Sequence, residues 1–94
     1  MFTISRDESG NVLLAGRLDA SQVEAAAAIL DNLTTSSIVD FKNLDYISSA
    51  GLGILLKTQK RLGATGQTLT LINMNKMIRD VFHIARFDLI FTIR

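Results

Sequence analysis

Ser37-Ile38-Val39-Asp40-Phe41 leads through Lys42-Asn43-Leu44-Asp45 into Tyr46-Ile47-Ser48-Ser49-Ala50-Gly51-Leu52-Gly53, and then into Ile54-Leu55-Leu56-Lys57. The first five residues have the apolar character of a buried parallel strand. The next four read as a short turn. From about Ser49 the apolar spacing becomes helical and runs to about Leu62. Two hydroxyls therefore sit where a loop becomes a helix. A helix start carries unpaired N–H groups and a partial positive charge, so it suits a cap or an anion. Serine is a preferred cap, and Ser49, directly before Ala50-Gly51, is the expected one. Gly51 and Gly53 each disfavour a helix by roughly 0.5–1 kcal/mol relative to Ala. They make a bare surface, suited either to a partner's backbone or to the chain's own strands.

Outward from this stretch, the chain alternates strands and helices. Phe2 to Ser5 alternates as a half-buried strand does, Asp7 to Asn11 is a turn, and Val12 to Gly16 is a second strand. The connection is short enough for an antiparallel hairpin. A helix with Val23, Ala26, Ala27, Leu30 and Leu33 as its apolar stripe follows, with capping boxes at Asp19-Ala20-Ser21-Gln22 and Ser21-Gln22-Val23-Glu24. After the long helix, Gly63 is the expected cap. Gln67 to Ile72 reads as a strand, Asn75 to Ala85 as a helix, and Phe87 to Ile93 as a last strand. The order ββαβαβαβ predicts an α/β domain. Its sheet is mixed and mostly parallel with one antiparallel edge strand, and helices pack on it.

The 94 residues, 48% hydrophobic, suit one domain spanning 1–94. No apolar run approaches the ~20 residues that cross a bilayer, so no direct membrane insertion is expected. The amino-terminal residues lack the form of a signal peptide, and there is no cysteine, which fits a cytoplasmic protein. A net charge of +1 implies no nucleic-acid partner. The charge is uneven: acids dominate residues 1–56, and bases dominate 57–94. Such a split can steer a partner of complementary charge.

No catalytic constellation stands out. His83 is the only histidine and falls beside apolar residues on a helix, which suits a structural role. Ser49, His83 and Asp40 make a triad only on paper, because the Gly-x-Ser-x-Gly turn of such nucleophiles is missing. Carboxylates lack metal-ligand spacing, and Ala50-Gly51-Leu52-Gly53 lacks the ending of a phosphate-binding loop. Asp19 and Asp40 fall at the ends of expected strands, the edge where open sheets present functional groups. Each is also a natural acceptor for backbone N–H groups, Asp19 as a helix cap and Asp40 in the loop before Ser48.

The run Tyr46 to Gly53 resembles the signature of STAS domains, in particular the small bacterial anti-sigma factor antagonists. Gly16-Arg17-Leu18-Asp19 looks like that family's turn into its first helix, Ile38 to Phe41 like its central strand, and Ile78 to Ala85 like its third helix. Ser48 stands where many members have Asp. The resemblance implies a non-enzymatic, cofactor-free binding protein. Its unmodified form would bind an anti-sigma factor that is also a serine kinase, releasing a sigma factor. Phosphorylation at Ser49, or at Ser48, would switch binding off, and a serine phosphatase would reset it. The implied partner surface comprises Asp19, Ser48, Ser49, Gly51, Leu52, Gly53, Leu56 and Lys57. A STAS scaffold subunit of a membrane transporter or sensory complex is the alternative, with the serine as a mere cap. A small hydrolase using Ser49 is a distant third.

Overall fold

The computed structural model describes residues 1–94 as a five-stranded sheet with three α-helices. Strands β1 (Phe2–Arg6), β2 (Val12–Leu18), β3 (Ser37–Ile47), β4 (Leu69–Ile72) and β5 (Thr92–Ile93) lie side by side in chain order. The β1–β2 hairpin is antiparallel, and every other pairing is parallel. Helices α1 (Val23–Leu30), α2 (Ser49–Gly63) and α3 (Lys76–Ile84) fill the crossovers. The expected fold class is therefore the observed one. No helix is long and apolar enough to cross a membrane.

The largest departure is at β3, where the expected turn Lys42 to Asp45 is strand. Its buried residues are Val39, Phe41, Leu44 and Ile47. The spacing lengthens from two to three because β3 carries an extra residue between the pairs Leu13–Asp40 and Ala15–Asn43, and another between Gly16–Leu44 and Arg17–Tyr46. Each extra residue is a bulge that resets which side chains face inward. Polar residues gathered at the bulges look like a turn to a pattern search. Asp40 is consequently in mid-strand, not at the carboxyl edge. Its Oδ1 accepts the Lys42 N–H at 2.9 Å and the Asn73 side-chain amide at 3.1 Å, fastening the first bulge and the end of β4.

Gly16 lies in β2, as expected, and the strand runs on through Arg17 to Leu18. Gly16 has φ +88°, and a Cβ there would lie 2.0 Å from the Met1 carbonyl oxygen. That carbonyl accepts the Arg17 N–H at 2.9 Å, so only glycine lets the two backbones meet this way.

The first helix stops at Leu30 rather than Leu33. The guanidinium of Arg61, on α2, donates to the Leu30 carbonyl at 2.9 Å and to the Leu33 carbonyl at 2.7 Å. The Leu30 carbonyl also accepts the Leu33 N–H at 3.1 Å, so the guanidinium ties the turn that follows α1 to α2. Gln59 acts similarly on the next strand, accepting the Leu69 N–H at 2.8 Å. At the end of α2, Gly66 rather than Gly63 takes the left-handed backbone, with φ +77°.

The expected strand Phe87 to Ile93 is mostly not a strand. Phe87–Leu89 is a 3-10 turn, and only Thr92 and Ile93 pair with β4. Phe87 and Phe91 are four apart, and both turn onto Phe82, with ring centroids 6.2 and 5.7 Å away. Phe41 meets Phe82 edge-on from β3 at 6.0 Å. A four-residue spacing serves a helical turn and not an alternating strand. On α3 itself, Ile78 and Phe82 are buried, whereas Met77 and Ala85 are exposed.

Replacing Arg61 with Met should remove two charge-assisted hydrogen bonds while keeping the aliphatic stem. A loss on the order of 1–3 kcal/mol is expected in urea unfolding. Wild-type stability would show that water caps α1 equally well.

Candidate functional site

The site forms where β2 and β3 end together. Leu18 faces Ile47 in the parallel register, and the Ser48 N–H donates to the Leu18 carbonyl at 2.9 Å. That bond carries the ladder one step beyond the strands. It holds Ser48 extended, at φ −92° and ψ 173°. It also places Asp19, next after Leu18, beside the start of α2, although 30 positions separate Asp19 from Ser49 in the chain.

Ser48, not Ser49, is the cap of α2. Its Oγ accepts the Gly51 N–H at 3.3 Å, and its carbonyl accepts the Leu52 N–H at 2.9 Å. The reason is the ladder: a cap needs extended backbone, and the bond to Leu18 confers it on Ser48. Ser49 is the first helical residue. It is exposed, and its hydroxyl makes no hydrogen bond within the domain. The first turn of α2 itself carries no acidic residue.

The other residues of the expected surface divide by helical geometry. Ser49, Gly53 and Leu56 are spaced by four and three, and share the outward side of α2. Ser49 and Gly53 are exposed, Leu56 is half-buried, and the adjoining Lys57 is exposed. No atom lies within 4 Å of where a Gly53 Cβ would be. Gly51 and Leu52 are buried on the inward side. A Cβ on Gly51 would come within 2.8 Å of Ile47 Cγ1 and 2.9 Å of Leu18 Cγ. Gly51 thus lets α2 close onto the strand ends. The two glycines, alike in sequence, do opposite things.

Asp19 caps the short 3-10 turn Ala20–Gln22 that precedes α1. Its Oδ1 accepts the Ser21 N–H at 3.0 Å and the Ser21 hydroxyl at 2.6 Å. The hydroxyl contact is the main cause that holds the Asp19 carboxyl below its ordinary pKa. The backbone contact and the charge of Arg17 act in the same direction, and partial desolvation opposes them. The second expected capping box fails: its Ser21 hydroxyl donates to Asp19, and the cap position of α1 falls on Gln22, which makes no side-chain cap bond.

Two residues that lie within the quoted motifs but outside the expected partner surface belong to this edge. The Arg17 guanidinium lies over the Tyr46 ring, 4.2 Å from its centroid. Arg17 and Tyr46 are register partners immediately before Leu18 and Ile47. Counting back one step from the paired strand ends would have found them. The paper triad does not assemble: His83 Nδ1 is 2.8 Å from Asp88 Oδ2, and Asp40 is bonded to Lys42 and Asn73.

Comparison with known proteins gives a consistent set of likenesses. A family model described as "Mlab, STAS domain" matches residues 1–92. BtrV of Bordetella bronchiseptica, named as an anti-sigma factor antagonist, is 38% identical over 76 residues, covering 80% of this chain and 66% of its own length. A STAS-domain containing protein of Pseudomonas aeruginosa is 30% identical over 56 residues, covering 60% of this chain and 55% of its own. The chain thus spans just under two thirds, and just over half, of the curated relatives it matches. Among solved structures, the anti-sigma factor antagonist SpoIIAA in its unphosphorylated form superposes with a TM-score of 0.69 at 25% identity. That match covers 89% of this chain and 83% of SpoIIAA.

The two serines should separate in mutagenesis. Ser48→Ala is expected to cost about 0.5–2 kcal/mol in thermal or urea unfolding. Ser49→Ala should stay within about 0.5 kcal/mol of wild type. Equal losses would contradict the assignment of the cap. A second expectation concerns Asp19. A lowered folded-state pKa means its contribution to stability is present above the ordinary value and is lost as pH falls through the lowered one. Ser21→Ala should move the Asp19 titration upward, as read from its carboxyl carbon by NMR. An unmoved titration would mean that the Ser21 hydroxyl is not the cause.

Proposed function

Since the chain belongs to the STAS domain family, which its residues 1–92 match, we propose that it is an anti-sigma factor antagonist switched by phosphorylation of Ser49. In this reading the unmodified form binds an anti-sigma factor that is also a serine kinase, and so frees a sigma factor. The kinase brings ATP and its metal. The domain contributes only the acceptor hydroxyl, and a serine phosphatase removes the phosphate.

The observation that carries the proposal is the pairing of Ser49 with Gly53 on the outward side of α2. Ser49 has a free hydroxyl at the positive end of a helix, and the fold makes no use of it. Gly53 is exposed in a helix interior, where Ala would be favoured by roughly 0.5–1 kcal/mol, and nothing inside the domain needs its missing Cβ. A hydroxyl and a bare backbone that the fold does not require suit a surface read from outside. Asp19, Leu56 and Lys57 border it. Ser48 reaches this surface only in part, and Gly51 and Leu52 support it from beneath. The names of BtrV and SpoIIAA point to the same role.

A phosphate on Ser49 brings about −1.5 to −2 charges. The helix dipole tolerates that charge, so the domain should keep its structure. At an interface the same charge must be desolvated. A penalty of even ~3 kcal/mol weakens binding more than a hundredfold. The switch then needs no change of shape.

Incubation with the cognate kinase and ATP should place phosphate on Ser49. Exclusive modification elsewhere would sink the proposal. Ser49→Asp should bind the kinase at least tenfold more weakly than Ser49→Ala in titration calorimetry. Gly53→Phe should fold as wild type does, because its Cβ points into open space, but should not bind. Wild-type affinity in a folded Gly53→Phe variant would put the interface elsewhere.

A further inference from the structure

The two edges of the sheet differ. At one edge β5 is only two residues long, which leaves little for another strand to pair with. At the other, β1 runs for five residues and pairs with β2 without a shift of register. Proteins guard a long edge with Pro, Lys or a bulge. β1, reading Phe2-Thr3-Ile4-Ser5-Arg6, has none of these.

The parity of the ladder shows which main-chain groups point outward. The Arg17 N–H donates to the Met1 carbonyl, and the Asp7 N–H donates to the Asn11 carbonyl, each at 2.9 Å. Bonded and non-bonded pairs alternate along an antiparallel ladder. Met1, Thr3, Ser5 and Asp7 therefore turn their main-chain groups toward β2. Phe2, Ile4 and Arg6 turn theirs away, to the side where β1 has no neighbouring strand. Three N–H and three C=O groups make up this outer row, and no loop or turn of the chain bonds to it.

We propose that this edge pairs with the same edge of a second copy of the chain, antiparallel, about a two-fold axis at Ile4. In that register Phe2 faces Arg6 of the second copy, Ile4 faces its own counterpart, and Arg6 faces Phe2. Every group of both outer rows is then used, and the sheet continues through both copies. Any other antiparallel register leaves part of each row unpaired. The side chains agree with this one. Arg6 is the sole charge in β1 and meets Phe2 rather than itself, so no like charges oppose. Thr3 meets Ser5, a favoured cross-strand pair of hydroxyls, and both are exposed in the single chain. Phe2 and Ile4, half-buried against the core, gain cover on the side that the edge leaves open. A strand of another protein could satisfy the same hydrogen bonds. The conflict-free pairing of β1 with itself is what selects a second copy. The proposal does not depend on the reading of Ser49, since neither serine of the candidate site belongs to β1.

The test is sedimentation velocity on the full chain from micromolar to millimolar concentration, with amide exchange followed by NMR in parallel. The expected result is a monomer–dimer equilibrium in which exchange at Phe2, Ile4 and Arg6 slows as the dimer forms. Charge substitutions then read the register. Thr3→Lys with Ser5→Lys sets like charges opposite each other at two places and should raise the dissociation constant about tenfold. Thr3→Lys with Ser5→Glu sets opposite charges at the same two places and should bind at least as tightly as wild type. Both positions are exposed, so thermal unfolding of the dilute monomer should hardly change. A chain that stays monomeric at millimolar concentration would overturn the proposal. So would a dimer that leaves the three amides unprotected, or one that responds alike to the two charge patterns.

Discussion

The parallel ladder between β2 and β3 governs the rest of the molecule. It ends at Leu18 facing Ile47 and continues in the bond from the Ser48 N–H to the Leu18 carbonyl. That bond fixes where β3 stops and α2 starts, and hence which serine caps and which is free. The ladder could not reach this point in simple register. Side chains alternate along a strand, so a uniform β3 could not bury Val39, Phe41, Leu44 and Ile47 together. Two bulges reconcile the burial with the pairing, and Asp40 fastens the first of them. Gly51 then allows α2 to settle against Leu18 and Ile47.

The architecture was largely legible in the sequence, because element type follows from apolar period and the order of elements implies a mostly parallel sheet. The errors share a cause. Lys42 to Asp45 looked like a turn because a bulge puts polar residues where alternation would put apolar ones. Phe87 to Ile93 looked like a strand because aromatic residues favour strands, yet their contacts are with Phe82 and follow a helical turn. Leu33 extended the helical pattern, but the fold buries it beyond the helix end, where Arg61 takes the carbonyls. Each of these depends on a neighbour distant in sequence, which a local pattern does not contain.

At the candidate site the place was legible and the division of labour was not. The motif located the helix start and both serines. It did not reveal which serine the ladder would hold extended, because that depends on Leu18, 30 residues earlier. Nor did it separate Gly51 from Gly53. Two positions on a helix differ by 200°, so one glycine faces the strands and the other faces solvent. The contact of Arg17 with Tyr46 was hidden for a similar reason: their stacking exists only once the register is known.

The separation of Ser48 from Ser49 has a consequence for how such a chain changes over time. Loss of the Ser48 hydroxyl weakens the fold, so every descendant feels it, whatever its task. Loss of the Ser49 hydroxyl leaves the fold intact and is felt only where that hydroxyl is read from outside. After a duplication, one copy can therefore drop it while remaining as stable and as abundant as its parent. Under the proposed function, that copy would bind permanently. A two-state regulator and a constant one would then differ by a single oxygen atom that folding never detects.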